Sequence, residues 1–121
     1  MHYYEKLTVW QKSMDLVEAI YHACEKFPKT EQFGLVSQMR RVAISIPSNI
    51  AEGSNRGSKK HFKQFLLIAF GSGAELETQI KLSSRLGYLE NTEKLDEQLL
   101  EVMKMLRSLI AKQESQLNPS S

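Results

Sequence analysis

The chain has 121 residues, of which 41% are hydrophobic and 25% are charged, and its formal net charge at pH 7 is +2. This is the size of one domain and the ordinary composition of a soluble globular protein. The one cysteine, Cys24, excludes an internal disulfide, and the longest apolar run, residues 65–70, is far below the roughly 20 residues of a membrane span. The start of the chain also lacks a signal-peptide layout, so we expect a cytoplasmic protein with no membrane partner.

Apolar residues spaced alternately by three and four predict four helices, over about 8–26, 30–52, 58–86 and 91–116, and no strand pattern competes. The apolar stripe of the first helix consists of Trp10, Met14, Val17, Tyr21 and Cys24. At its start, Thr8 and Gln11 have the spacing of a capping box, in which side chains satisfy the free amides of a helix terminus.

The second helix has a core face of Leu35, Met39, Val42, Ile46 and Ile50. Pro47 lies inside it and removes one backbone donor, so either the helix is kinked there or a new helix begins with Pro47 in its first turn. The unbroken register from Ile46 to Ile50 favours the kink. Gly53 is the expected end of the helix.

The third helix is expected to begin at Ser58, a good N-cap residue, and to stop at Gly87. Short connections between four amphipathic helices favour antiparallel neighbours. The sequence therefore predicts an all-α fold, an up-down-up-down antiparallel four-helix bundle over residues 1–117, followed by a flexible tail at 118–121.

A second stripe of the third helix lies opposite its core face and consists of Leu67, Gly71, Ala74 and Thr78. Together with Ile68 and Phe70 it leaves this helix apolar on nearly every side, and a helix of that kind is normally covered all round. We expect a second copy of the chain to cover the stripe and to meet Ser45 and Ser48 of the second helix, in a homo-oligomer. The alternatives are a third helix wrapped by the other three, and a solvated serine face.

No catalytic group, metal site, cofactor or small-molecule substrate is evident in the sequence. A di-iron bundle needs Glu-x-x-His pairs on two helices, and none occurs. The stretch from Gly53 to Lys60 lacks the spacing of a phosphate-binding P-loop. We therefore expect a protein that is not an enzyme.

Positive charge is concentrated in residues 37–63, which hold six basic residues and one acid, Glu52, for a net +5 against −3 in the rest of the chain. The basic residues are Arg40, Arg41, Arg56, Lys59, Lys60 and Lys63. Because a helix N-terminus also attracts anions, the start of the third helix is a candidate nucleic-acid-binding surface. It would contact backbone phosphates and shape, since no aromatic platform for bases accompanies it. The alternative is a solvated turn.

The stretches "SQMRRVAISIPSNIAEG" (37–53), "FLLIAFGSGAELETQI" (65–80) and "LTVWQKSMDLVEAIY" (7–21) resemble a bacterial family of four-helix-bundle proteins. These were first noted as open reading frames in intervening sequences of large-subunit ribosomal RNA genes and are often labelled ribosomal proteins. A similar fold serves as the accessory variability determinant of diversity-generating retroelements. The resemblance implies a cyclic homopentamer with a partly basic surface, which in the retroelement relatives binds nucleic acid and a reverse transcriptase. It also implies structural polar roles for Asn49, Glu52 and Glu75.

The leading hypothesis is a non-enzymatic, oligomeric accessory protein that binds structured RNA or a ribonucleoprotein through the basic surface near the turn between the second and third helices. The alternative is an interaction scaffold for other proteins, with no role in nucleic-acid binding.

Overall fold

The computed structural model describes residues 3–117, and within that range the chain is helical and contains no strand. The four α-helices are α1, Thr8–Cys24; α2, Leu35–Asn55; α3, Lys59–Arg85; and α4, Glu93–Leu117. Two short 3-10 segments, Tyr3–Lys6 and Lys29–Glu31, precede α1 and α2. The predicted all-α class with four helices is confirmed, and the predicted tail at 118–121 lies outside the described residues.

Each helix packs against two others around one hydrophobic core. α2 lies between α1 and α3, and α4 packs against both α3 and α1. Among the described residues the backbones of α1 and α3 do not come close to each other, nor do those of α2 and α4, so these pairs lie diagonally across the core. Each Leu or Ile removed from water in this core stabilises the fold by roughly 1.5–3 kcal/mol.

The helix α1 turns a different face to the core from the one predicted. Its buried residues are Val9, Ser13, Leu16, Ile20 and Cys24. Of the predicted stripe, Met14 and Tyr21 are exposed, Trp10 and Val17 are partly buried against the core, and only Cys24 is buried as expected. The prediction was wrong because α1 carries two apolar stripes side by side, and periodicity alone does not tell which one faces inward.

The helix α2 runs without interruption through Pro47 to Asn55, so the alternative of a new helix starting at Pro47 is wrong. Gly53 does not end it. A Cβ on Gly53 would stand 2.7 Å from the Cβ of Phe65, so the absence of a side chain at Gly53 lets α2 and α3 approach closely near the turn. The chain leaves the helix instead at Gly57, whose φ of 80° lies in the left-handed region.

The predicted boundaries of α3 are close to the observed ones. The Ser58 hydroxyl oxygen accepts a hydrogen bond from the His61 amide at 3.1 Å, which confirms it as the N-cap. At the other end Gly87 has a φ of 81°, and its amide donates to the Ser84 carbonyl while the Tyr88 amide donates to that of Ser83. This pair of bonds is the Schellman motif, in which a left-handed glycine satisfies the last carbonyls of a helix.

The starts of α1 and α2 differ from the predictions. Thr8 and Gln11 form no capping box, because α1 begins at Thr8 without a side-chain cap and the side-chain amide of Gln11 donates instead to the Glu5 backbone carbonyl at 2.8 Å. The second helix begins at Leu35 rather than at residue 30, and the Glu31 carboxylate accepts from the Leu35 amide at 3.3 Å. No helix in the described range is long and apolar enough to cross a bilayer.

Candidate functional site

The turn between α2 and α3 carries four of the six basic residues that the sequence singled out. Arg56 follows α2, Lys59 and Lys60 open α3, and Lys63 lies one turn further along. Ser58 orders the start of α3, since its hydroxyl also lies 2.7 Å from the His61 Nδ1. The four cations are therefore attached to a short, well-capped corner of the molecule.

Two of these four cations are already paired within the chain. The Arg56 guanidinium donates to the Glu52 carboxylate at 2.8 Å and stacks over the Phe65 ring, 5.3 Å from its centroid. The Lys63 ammonium lies 3.4 Å from the Glu114 carboxylate on α4. Lys59 and Lys60 are exposed and have no hydrogen-bond or ion-pair partner among the described residues. They are the free charges of this corner.

Arg40 and Arg41 lie apart from this corner. They lie near the start of α2, whereas Arg56 follows its end. Sixteen residues of helix at 1.5 Å per residue separate Arg40 from Arg56 by about 24 Å. The sequence analysis grouped all six cations because they lie within residues 37–63. Most of that segment is the helix α2, and residues at its two ends cannot contact the same phosphate.

Further positive charge reaches the same end of the molecule from α1 and α4, which the sequence reasoning missed. The half that contains the α2–α3 turn consists of residues 3–15, 45–72 and 105–117, up to the middle of each helix. It holds eight Lys or Arg against four Asp or Glu, a net +4, while residues 16–44 and 73–104 hold eight against ten, a net −2. The cations contributed by α1, its preceding segment and α4 are Lys6, Lys12, Arg107 and Lys112. The antiparallel topology was the signal that could have found them.

The predicted contact stripe of α3 is uncovered in the single chain. Leu67 and Ile68 expose 47% and 52% of their surface, and Gly71, Ala74 and Thr78 are exposed as well. A Cβ on Gly71 would meet nothing within 4 Å, so no contact inside the chain requires a glycine there. Gly73, in contrast, makes room for the Met103 sulfur of α4.

The polar residues of α2 divide between two environments. The Ser45 hydroxyl lies 2.9 Å from that of Ser72, which joins α2 to α3 inside the chain. The Asn49 side chain donates to the Ser45 carbonyl at 2.7 Å and to its hydroxyl at 2.9 Å, so Asn49 holds this contact in place. Ser48 is exposed and lines a cleft between α1 and α2 with Trp10 and Met14. Whether either serine also meets a second copy stays a prediction.

Two predicted polar residues are surface carboxylates. Glu52 pairs with Arg56, as described, and Glu75 is exposed on α3, next to the contact stripe. The Cys24 thiol is buried, and burial raises its pKa above the ordinary value, against a smaller lowering by the nearby Arg40 guanidinium. A protonated thiol of this kind is a poor nucleophile and a poor metal ligand.

Nowhere in residues 3–117 do three or more His, Cys, Asp or Glu side chains converge in a way that would hold a metal ion. A search of curated proteins found no significant match to the chain. A model of a protein family does match, over residues 5–108 of the 121. That family is described as the 23S rRNA-intervening sequence protein, and because the match spans most of the chain, the protein belongs to it.

Proposed function

We propose that the protein is a non-enzymatic accessory protein that binds structured RNA, or a ribonucleoprotein, through the end of the molecule that contains the α2–α3 turn. The observation that carries this proposal is the separation of charge, net +4 in that half against −2 in the other. A net charge of +2 spread evenly would say little about a partner, but a molecule with one basic end presents a localised field to a polyanion.

Lys59 and Lys60 are the proposed first contacts with phosphate. Both are exposed, neither is paired with an acid, and both belong to the first turn of α3, where free amides and the helix dipole favour an anion. Arg56 and Lys63 lie next to them and can exchange their ion pairs with Glu52 and Glu114 for contacts with phosphates. Binding of this kind positions the protein on the RNA backbone and does not read bases.

The family name makes 23S ribosomal RNA that carries an intervening sequence the first RNA to test. The predicted likeness to the retroelement accessory proteins supports a nucleic-acid role of the same kind. We accordingly propose that the protein acts in the bacterial cytoplasm.

Assembly of several copies is part of this proposal, and two uncovered apolar surfaces support it. One is the stripe of α3 around Gly71, and the other is the cleft between α1 and α2 that Trp10, Met14 and Ser48 line. Because α1 and α3 lie diagonally across the core, these surfaces face different directions. A contact that joins two different surfaces is heterologous and closes into a ring when the rotation permits, as in the homopentamer that the resemblance implies.

A ring would gather several basic ends and raise the apparent affinity well above that of one end. If about five phosphates are neutralised, the slope of log affinity against log salt should be about −4 for single strands and about −5 for a duplex.

The test replaces Lys59 and Lys60 together by Glu and measures binding to fluorescein-labelled 23S rRNA fragments by fluorescence anisotropy. The matched control replaces Lys26 and Lys94, two exposed lysines of the acidic half, by Glu. We expect the first variant to lose most of its affinity and salt dependence, and the control to retain both. Wild-type protein that binds no RNA even at low salt would refute the proposal.

The second candidate is a protein-interaction scaffold, which the exposed apolar stripe of α3 favours. A scaffold of this kind would form oligomers but would not bind RNA. Gene context separates the two: a neighbouring ribosomal RNA or reverse transcriptase gene favours RNA binding, and a signalling or toxin operon favours the scaffold.

A further inference from the structure

A cleft of about 410 Å³ lies in the acidic half of the molecule, between the end of α1, the connection that follows it and the first turns of α2. It is separate from the basic end and from the α3 stripe. The polar and aromatic side chains that line it are Tyr21, Gln32, Phe33, Ser37, Arg40 and Arg41.

Phe33 marks the edge of this cleft. It exposes 94% of its surface, more than any other large apolar side chain of the described residues, although it is held between the ordered segment Lys29–Glu31 and the start of α2. Ile44, at the other edge, is also exposed. An aromatic ring on an ordered backbone is the type of side chain that anchors a protein–protein contact, because it buries a large area at a small cost in conformational entropy.

The arginines of the cleft have hydrogen-bond donors to spare. The Arg40 guanidinium lies 4.5 Å from the centroid of the Tyr21 ring, and its Nε is buried without an acceptor among the described residues. Neither Arg40 nor Arg41 forms an ion pair within residues 3–117. A planar guanidinium held by stacking keeps its donor fork available for a carboxylate.

Two acids of the segments that border this cleft have contacts of their own. The Glu31 carboxylate accepts from the Leu35 amide and from the Tyr88 hydroxyl, and the Glu25 carboxylate faces the His22 ring at 3.6 Å. Neither of these two acids forms an ion pair with Arg40 or Arg41.

We propose that this cleft binds a segment of a partner protein in which an Asp or Glu lies beside an aromatic or other apolar side chain. The carboxylate would take the donors of Arg40 and Arg41, and the apolar side chain would pack on Phe33 and Ile44. The surrounding half has a net charge of −2, so a long polyanion such as RNA would meet repulsion beyond these two arginines. A single carboxylate on an apolar segment meets far less repulsion, because it carries one charge where RNA carries many.

The experiment selects peptides from a random library displayed on phage against the full chain and then titrates the selected sequence as a synthetic peptide. We expect enrichment of Asp or Glu next to Phe, Trp, Tyr or Leu, and a loss of binding when Asn or Gln replaces the acid. Phe33→Ser and Arg41→Gln should each lower the affinity of the chain for the peptide by about tenfold. Both positions are exposed, so these variants should fold, which circular dichroism checks.

Leu100→Ser and Lys94→Gln are the matched controls, since they remove an exposed apolar and an exposed basic side chain outside the cleft, and they should bind as the wild type does. Selected peptides without acids, or undiminished binding by Phe33→Ser, would overturn the proposal. So would a loss of RNA affinity in the two cleft variants, which would assign the cleft to RNA, or a drop in their mass in solution, which would assign it to a second copy.

Discussion

The backbone of Gly53 lies directly against Phe65, so that a Cβ on the glycine would stand 2.7 Å from the Cβ of the phenylalanine. The two residues belong to α2 and α3 on either side of the turn that carries Lys59 and Lys60. Because the Phe65 ring also lies under the Arg56 guanidinium, this close crossing sets the position of a basic side chain. A structural glycine thus determines where the proposed phosphate contacts stand.

Replacing Gly53 by Ala should therefore destabilise the fold. The added methyl group must push α2 and α3 apart, which costs about 1–3 kcal/mol. Gly71→Ala is the matched control: its methyl group meets nothing within 4 Å and improves helix propensity by up to about 1 kcal/mol. Urea unfolding of dilute protein measures both, and a Gly53→Ala variant as stable as the wild type would contradict the close crossing.

Replacing Gly71 by Leu should lower the number of subunits. The leucine would not disturb the single chain, where its position is open, but it would overfill a close helix contact with a second copy. Light scattering gives the mass in solution, and Ser84→Leu, at an exposed position elsewhere on α3, is the control. An unchanged mass for Gly71→Leu would remove the α3 stripe from the contact.

Two replacements of Ser58 separate stability from binding. Ser58→Ala removes the cap on the His61 amide and should cost about 1 kcal/mol. Ser58→Asp keeps an acceptor at the cap and adds a charge that the helix dipole favours, so it should be about as stable as the wild type. The same charge stands next to Lys59 and should weaken RNA binding in anisotropy titrations. Wild-type affinity in Ser58→Asp would place the RNA contact elsewhere.

The free energy of unfolding should fall at high pH because Tyr88 ionises. Its hydroxyl donates to the Glu31 carboxylate at 2.9 Å, and this hydrogen bond raises the pKa of Tyr88 above its ordinary value of 10.0. The unfolded chain therefore loses the phenolic proton first, and above pH 10 it binds fewer protons than the folded chain, so unfolding becomes easier as pH rises.

Urea unfolding of the wild type and of Tyr88→Phe at a series of pH values tests this. The wild type should be the more stable protein below pH 10, and its advantage should shrink at higher pH. A difference that stays constant across that range would show that the hydrogen bond does not control the ionisation.

The sequence was sufficient for the all-α class, the four helices and the termini of α3, because those depend on local features. Ser58 and Gly87 act through bonds to residues no more than four positions away. Gly53 was misread because its role depends on Phe65, across the turn. The outer apolar stripe of α1 was taken for the core because it has the same helical spacing as the buried one, and only packing decides which of the two faces inward.

The candidate site was predictable only in part for a similar reason. The four cations of the turn are neighbours in the sequence, but Lys12 and Lys112 come from distant segments that the fold brings to the same half of the molecule. Arg40 was grouped with them because it is close along the chain, although a rigid helix holds it about 24 Å away. Residues that are close in sequence can therefore lie far apart when a straight helix joins them.

The Met103 sulfur fills the space left by the absent side chain of Gly73, where α3 and α4 meet. Met14 is exposed, whereas the Met103 side chain is partly buried against the core. Once converted to the sulfoxide, the same side chain would gain a polar oxygen with no room or partner at the crossing. Oxidation at this one atom would therefore loosen the crossing of α3 and α4.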